Sequence, residues 1–250
     1  MADDAVDDMY SNCKTKMAEM VKHTYFKREN FGEFARVWNA ASTCATKTQT
    51  TTMNLYSKDK DDMELTKDHI QAICVYTSDS LKFYKTLNNA VQTDRAIYGT
   101  FFLFHSLHFW LTSAVQILNK KCDITYRRTS RRFTGNVGDI VRFGFFASSS
   151  IRMDLKQFGK ETCFKIFTCS GGAIEKYSVV KSEMEVLIPP YEKFMIKEKI
   201  EDRSLYGLTD CNVVYILEGL GVFSNLDCHI SNLHYRRKVF HWWRKQIRFD

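Results

Sequence analysis

The chain has 250 residues, 44% of them hydrophobic, 14% aromatic and 26% charged, enough apolar mass for a packed core and too much for disorder as the main state. Eleven glycines and two prolines exclude collagen-like and proline-rich repeats, and the two prolines stand together as Pro189-Pro190. Thirty-six Lys and Arg against 29 Asp and Glu leave a net charge of +7, which favours anionic partners such as nucleotides, nucleic acid or a membrane surface.

Residues from about Tyr10 to Ala41 carry Met17, Met20, Val21, Phe31, Phe34, Val37 and Trp38 at spacings of three and four, the period of a helix with one apolar stripe. Thr43 to Asp62 is rich in Thr, Lys and Asp and reads as a loop. Helical spacing resumes over Ile70 to Val75 and Leu81 to Val91. The apolar stretch Tyr98 to Leu118 holds His105, Ser106, His108, Thr112, Ser113 and Gln116, polar groups that a lipid-exposed span would have to satisfy, so it reads as a buried amphipathic helix.

At Cys122 the character changes. Short runs rich in β-branched and aromatic residues follow, at 122–127, 140–147, 163–169, 185–188, 194–197 and 213–217, parted by Gly, Asp, Asn and Ser. Helices first and strands after, without βαβ alternation, predict an α+β fold in which an N-terminal helical layer packs on a mixed or antiparallel sheet. The expected organisation is a single domain, 1–250: a helical part to about 120, a strand-rich part over about 121–230, and a basic tail over 231–250.

That tail alternates Arg236, Arg237, Lys238, Arg244, Lys245 and Arg248 with Trp242, Trp243 and Phe249. It reads as a solvated helix or arm, with nucleic-acid or membrane binding as the competing reading. The acidic start, Met-Ala-Asp-Asp, has neither a basic nor an apolar leader segment, so no signal peptide is expected within these residues. Eight cysteines without a C-x-x-C pair or clustered histidines give no support to a metal site, and composition alone leaves disulfides and buried thiols both open.

Chemistry concentrates in Ser182-Glu183-Met184-Glu185-Val186-Leu187-Ile188-Pro189-Pro190. Two carboxylates two apart on a strand project from the same face, and like charges that close raise one pKa. Taken alone, the pair could equally be the solvated glutamates of an edge strand.

In this setting the chain resembles the vertebrate-type ecto mono-ADP-ribosyltransferases of the Arg, Ser, Glu-x-Glu class that modify arginine. The likeness runs through Asp7-Asp8-Met9-Tyr10 with Cys13, Leu107-His108-Phe109, Thr125-Tyr126-Arg127, Val141-Arg142-Phe143-Gly144-Phe145-Phe146-Ala147-Ser148-Ser149-Ser150, and Glu183 to Glu192. It implies a split β core and NAD+ as co-substrate, with no metal. It further implies that Arg127 holds the NAD pyrophosphate, that Ser148 braces the catalytic glutamate and the nicotinamide ribose while Ser149 shapes that strand, that Glu185 stabilises the oxocarbenium ion, and that Glu183 engages the acceptor guanidinium.

In the same light Tyr177 stands in the loop that touches the acceptor protein, and Arg152 and Lys156 in the loop that cradles phosphate and nicotinamide. Arg128, counted with Ser149, Arg152 and Glu185 among the residues expected to bind NAD+, replaces a usual glycine; either its side chain turns to solvent while backbone contacts persist, or NAD binding is weakened. Two disulfides are implied, Cys13–Cys228 and Cys122–Cys169, with Cys44, Cys74, Cys163 and Cys211 left over and Cys44–Cys74 one possible pair. The function implied is transfer of ADP-ribose from NAD+ to arginine side chains, with NAD hydrolysis on the side, by a secreted or surface-attached monomer that binds no nucleic acid. A catalytically idle extracellular binding domain is the alternative.

Overall fold

The computed structural model describes residues 2–55, 64–79, 82–202, 204–205 and 207–230. The basic tail from Arg236 to Phe249, and with it the readings attached to it, lies outside the described residues, as do Leu81 and the end of the expected 43–62 loop.

Helix α1 (Lys14–Met20) runs through a π-helical turn, Val21–Tyr25, into α2 (Phe26–Glu29), and α3 (Gly32–Leu55) follows after a break at Asn30. The helical spacing expected across 10–41 is therefore present but interrupted. The loop expected from Thr43 onward is helical to Leu55. Its polar composition belongs to the solvent face, for Ala41, Ala45 and Thr48 continue a buried stripe at spacings of four and three. Thr50 and Thr51 return their hydroxyls to the carbonyls of Thr46 and Lys47, which makes threonine tolerable mid-helix.

Helix α4 (Lys67–Thr77) starts on a capping box: the Thr66 hydroxyl accepts from the His69 amide while His69 Nδ1 accepts from the Thr66 amide. After α5 (Phe83–Thr93) and a 3-10 turn, Arg95–Ile97, the last helix is α6 (His105–Leu118). It is buried on nearly every side but begins seven residues later than the apolar run suggested. Residues 98–104 instead fold into turns in which the amides of Thr100, Phe101 and Phe102 all donate to the Ile97 carbonyl. The α6 N-terminus is closed by the buried Glu29 carboxylate, which accepts from the backbone amides of His105 and Ser106 at 3.0 and 2.9 Å.

The strands are β1 (Asp123–Thr129), β2 (Ile140–Val141), β3 (Ala147–Ser150), β4 (Thr162–Thr168), β5 (Gly172–Ala173), β6 (Glu185–Ile188), β7 (Glu192–Ile200) and β8 (Val213–Val222). They form one sheet in the order β2-β7-β8-β4-β1-β3-β6-β5, with β4 and β8 parallel and every other pair antiparallel. The run 140–147 is not one strand: Gly144, at φ +70° and with Ala2 Cβ only 2.3 Å from where its own Cβ would sit, turns the chain between β2 and β3.

The sheet is nearly two sheets. Seven residue pairs join β1 to β4, whereas β1 and β3 meet at the single pair Tyr126↔Ser150, so the β3-β6-β5 group is free to angle away from the rest. That seam positions the site described below.

All eight cysteines are bonded, as Cys13–Cys228, Cys44–Cys74, Cys122–Cys169 and Cys163–Cys211. Among the described residues no helix is long and apolar enough to cross a membrane, and no cluster of His, Cys, Asp or Glu is placed to hold a metal ion.

Candidate active site

A cavity of about 470 Å³ opens at the seam, walled by β1, the β3-β6 pair, the 151–158 loop and the facing sides of α4 and α5. Arg127, Ser148, Glu183 and Glu185 all line it. A wider hollow of about 590 Å³ between Arg132 and Tyr215 holds none of these groups.

Arg127 and Arg128 are neighbours on β1, and strand alternation sends them to opposite faces. The Arg127 guanidinium donates through Nη1 to the Ser148 carbonyl at 2.5 Å and stands 5.7 and 6.0 Å from the ring centres of Phe145 and Phe143. Its Nε is buried without a partner. Burial lowers the Arg127 pKa, and the neighbouring Tyr76 and Glu185 oppose that shift.

Arg128 neither turns to solvent nor reaches the cavity with its charge. Its guanidinium spends all five donors behind the strand: on the Met153 carbonyl, on both Asp210 oxygens at 3.0 and 3.1 Å, on the Gly207 carbonyl and on Cys211 Sγ. Arg128 thus borders the cavity with its guanidinium already engaged elsewhere, so that side chain has no donor to spare for a cofactor.

Strand alternation also sorts the three serines. Ser148 faces the cavity and hydrogen-bonds Glu185. Ser149 also borders the cavity, but its hydroxyl donates to the Val186 carbonyl at 2.8 Å and is engaged across the β3-β6 pair. Ser150 donates to the Glu183 carbonyl at 2.5 Å, fixing the turn that carries that residue.

Glu185 opens β6 and is 5% exposed. Burial pushes its carboxyl up to about 7, the nearby Glu183 charge adds to the rise, and the Ser148 hydroxyl and the Arg127 charge oppose it. Glu183 is raised as well, first by partial burial and then by the charge of Asp79. The two carboxylates share a cavity but not a strand: Glu183 ends a 3-10 turn, Lys181–Glu183, and Met184 takes a left-handed φ of +48° before β6 begins. Their convergence comes from that turn rather than from the two-residue period.

Tyr177 is corrected outright. It is 1% exposed and packed into the helical core; the side chain that its loop offers to solvent is Val179. Arg152 lines the cavity, pairs with Asp154 and donates to the Ser182 carbonyl, a link between the 151–155 loop and the turn bearing Glu183. Lys156 is exposed and does not line the cavity, where Leu155 and Phe158 stand instead.

The helical wall adds residues that reading the sequence missed. The Tyr76 hydroxyl donates to the Phe146 carbonyl at 2.6 Å, accepts from Asn88 Nδ2 at 3.1 Å and lies 3.3 Å from Ser148 Oγ; Asn88 also brackets both backbone groups of Phe146. Burial raises the Tyr76 pKa to about 12, so it stays a neutral donor. Tyr84, Asn88 and Gln92 repeat at four-residue spacing along α5, a polar stripe visible in the sequence beside the apolar one of Phe83, Leu87 and Val91. Nothing in that stripe alone says that it faces a cavity.

Comparison with known proteins agrees with this arrangement. The family model for NAD:arginine ADP-ribosyltransferases matches residues 1–207. Human ecto-ADP-ribosyltransferase 5 is 35% identical over 219 residues, covering 81% of this chain and 72% of that protein. The bovine counterpart is 32% identical over 224 residues, covering 81% of this chain and 66% of its own, so the chain spans roughly two thirds of the length of such relatives. The erythroblast NAD(P)(+)–arginine ADP-ribosyltransferase of Gallus gallus is 33% identical over 208 residues, covering 78% and 66%. Among solved structures, the eucaryotic mono-ADP-ribosyltransferase ART2.2, as a mutant in complex with NADH, superposes with a TM-score of 0.73 at 26% identity, covering 91% of this chain and 96% of that one. By fold, by sequence and by the arrangement at the sheet seam, the chain belongs to the NAD:arginine ADP-ribosyltransferase family.

Proposed function

We propose that the protein transfers ADP-ribose from NAD+ to arginine side chains of acceptor proteins and releases nicotinamide, with water as a competing acceptor. In this reading it works outside the cell as a monomer, its helical and strand-rich parts forming one domain. Four disulfides support an oxidising location. The observation that carries the reading is Glu185: a carboxylate buried to 5% exposure, facing the same cavity as Arg127, Ser148 and Glu183.

The residues present fit NAD+. The unpartnered Nε of Arg127 is a buried cationic donor in want of an anion, and phosphate oxygens supply one. The cavity, at about 470 Å³, is the size of ordinary ligand sites. Arg127 thus binds the pyrophosphate, while Ser148 and Tyr76 set the wall against which the nicotinamide ribose is held. When the bond from ribose to nicotinamide breaks, positive charge appears on the sugar, and the Glu185 carboxylate, held in low dielectric, is placed to stabilise it. Glu183 pairs with the acceptor guanidinium, orients the attacking nitrogen and takes the proton that it sheds.

Incubation with labelled NAD+ and agmatine tests this. Label on agmatine, lost by about 10³-fold or more in Glu185→Ala, is expected from removal of the main electrostatic stabiliser. Glu183→Gln should keep NAD hydrolysis while transfer to agmatine falls sharply. Because Glu185 acts ionised, the rate should rise with pH through a midpoint near 7. Wild-type protein that neither transfers nor hydrolyses would point instead to an idle binding domain.

A further inference from the structure

Behind the cavity lies a second arginine site with no vacant donor. The 151–158 loop forms one wall, through Arg152, Leu155 and Phe158. On the cavity side Arg152 ties it to Ser150 and Ser182, and on the far side it is held at Met153. The Met153 carbonyl accepts from Arg128 Nε at 2.8 Å, and its side chain is pressed against Gly207, where an added Cβ would lie 1.9 Å from the sulfur. Gly207 sits at φ +81°, so both its space and its backbone exclude a larger residue.

Arg128 links this loop to the segment before β8. Its fork takes both oxygens of Asp210 and the Gly207 carbonyl, and Asp210 is next to Cys211, which is bonded to Cys163 on β4. Asn212 ties the same segment to the strand entry, its amide donating to the Lys160 carbonyl and its side chain to Glu161. Arg128 holds Asp210 below the usual carboxylate range, consistent with a bidentate pair. The Arg128 side chain is 2% exposed and that of Asp210 31% exposed, so removing one partner leaves a guanidinium buried and uncompensated.

We propose that Arg128 and Asp210 form a positioning pair that sets the 151–158 wall of the cavity from behind, and so governs affinity for the dinucleotide rather than the reaction of the acceptor. This rests on the reading of the cavity as the NAD+ site. Lysine in place of Arg128 keeps the charge but cannot hold Met153, Gly207 and Asp210 with one planar fork.

Steady-state rates with NAD+ and agmatine should be measured for Asp210→Asn, Arg128→Met, their combination and Arg128→Lys. A shift of the wall by a fraction of an ångström predicts a KM for NAD+ raised about tenfold in each single variant, with the KM for agmatine unchanged. The double variant should be no worse than the poorer single, because both act through one contact. Amides of residues 152–158 should also exchange hydrogen about tenfold faster in Asp210→Asn, which removes the counter-ion but keeps one side-chain oxygen as acceptor, under conditions where urea denaturation shows the variant folded. An unchanged KM for NAD+, equal rises for both substrates, additive losses, or rescue by Arg128→Lys each overturn the pair's role. If wild-type protein uses no NAD+ at all, the reading of the cavity fails, and hydrogen exchange alone decides the brace, unchanged protection of 152–158 overturning it.

Discussion

The clasp that joins the two ends of the described chain and the cleft at the sheet seam both bury carboxylates, yet they treat them in opposite ways. In the clasp, Asp7 is fully buried and accepts from Arg142 Nη1, from the amides of Asn225 and Leu226 and from the Ser224 hydroxyl. Asp8 beside it accepts from the amides of Tyr10 and Cys228 and from the Tyr98 hydroxyl, and the Cys13–Cys228 disulfide closes the same contact. In the cleft, Glu185 has the Ser148 hydroxyl; the arginines do not differ in this respect, since a buried Nε is unmatched on Arg142 in the clasp as on Arg127 in the cleft, so the contrast lies in the acids. A raised pKa does not separate the two regions, since burial carries both Asp8 and Glu185 to about 7. Satisfaction does: acids that are fully bonded hold the chain together, and those left short of partners await a ligand.

The largest expected effect lies in the clasp. Asp7→Ala leaves the Arg142 guanidinium, whose side chain is wholly buried, without its counter-ion, and breaking such a pair costs about 3–5 kcal/mol. Urea denaturation should show that loss with the slope unchanged. A cost under about 1 kcal/mol, the scale of an exposed pair, would erase the distinction drawn between the regions.

The same contrast explains what the sequence disclosed. Strand runs showed themselves through β-branched and aromatic residues, and β6 begins and ends where its pattern does, at Glu185–Ile188. The C-terminal half of α3 did not, because Thr, Lys and Gln on a solvated face look like loop while the buried stripe of Ala41, Ala45 and Thr48 is too small to stand out. Arg127 and Arg128 look alike in sequence; which faces the cavity depends on strand phase. Tyr177 looked like a loop aromatic on display, and only its burial in the helical core decides otherwise. The helical wall of Tyr76 and Asn88 is legible only once the seam exists for it to face.

A second measurement sharpens the comparison with the opposite sign. The unfolded Glu185 carboxyl titrates near 4.5 and the folded one near 7, so the folded state binds the proton more tightly. Its contribution to stability is full below about 4.5 and is lost as pH rises through 7. Glu185→Gln removes that loss. It should leave stability nearly unchanged at pH 4 and raise it by up to about 3 kcal/mol above pH 7, with the gain appearing between. Chemical denaturation across that range checks it, and a variant less stable than wild type at pH 8 would place Glu185 with the clasp acids instead.

The smallest effect probes where the two treatments meet. Tyr76→Phe keeps the buried ring and removes a hydroxyl bonded to Phe146, Asn88 and Ser148. The Phe146 carbonyl retains Asn88 Nδ2, so no buried acceptor is stranded and the loss should be about 1 kcal/mol. Ser148 keeps its bond to Glu185 but loses a neighbour that limits its rotation, so turnover should fall only a few-fold while the midpoint of the pH profile stays near 7. A midpoint displaced by a full unit would mean that Tyr76 acts on Glu185 through Ser148 as one network, and the helical wall would then belong to the chemistry as well as to the scaffold.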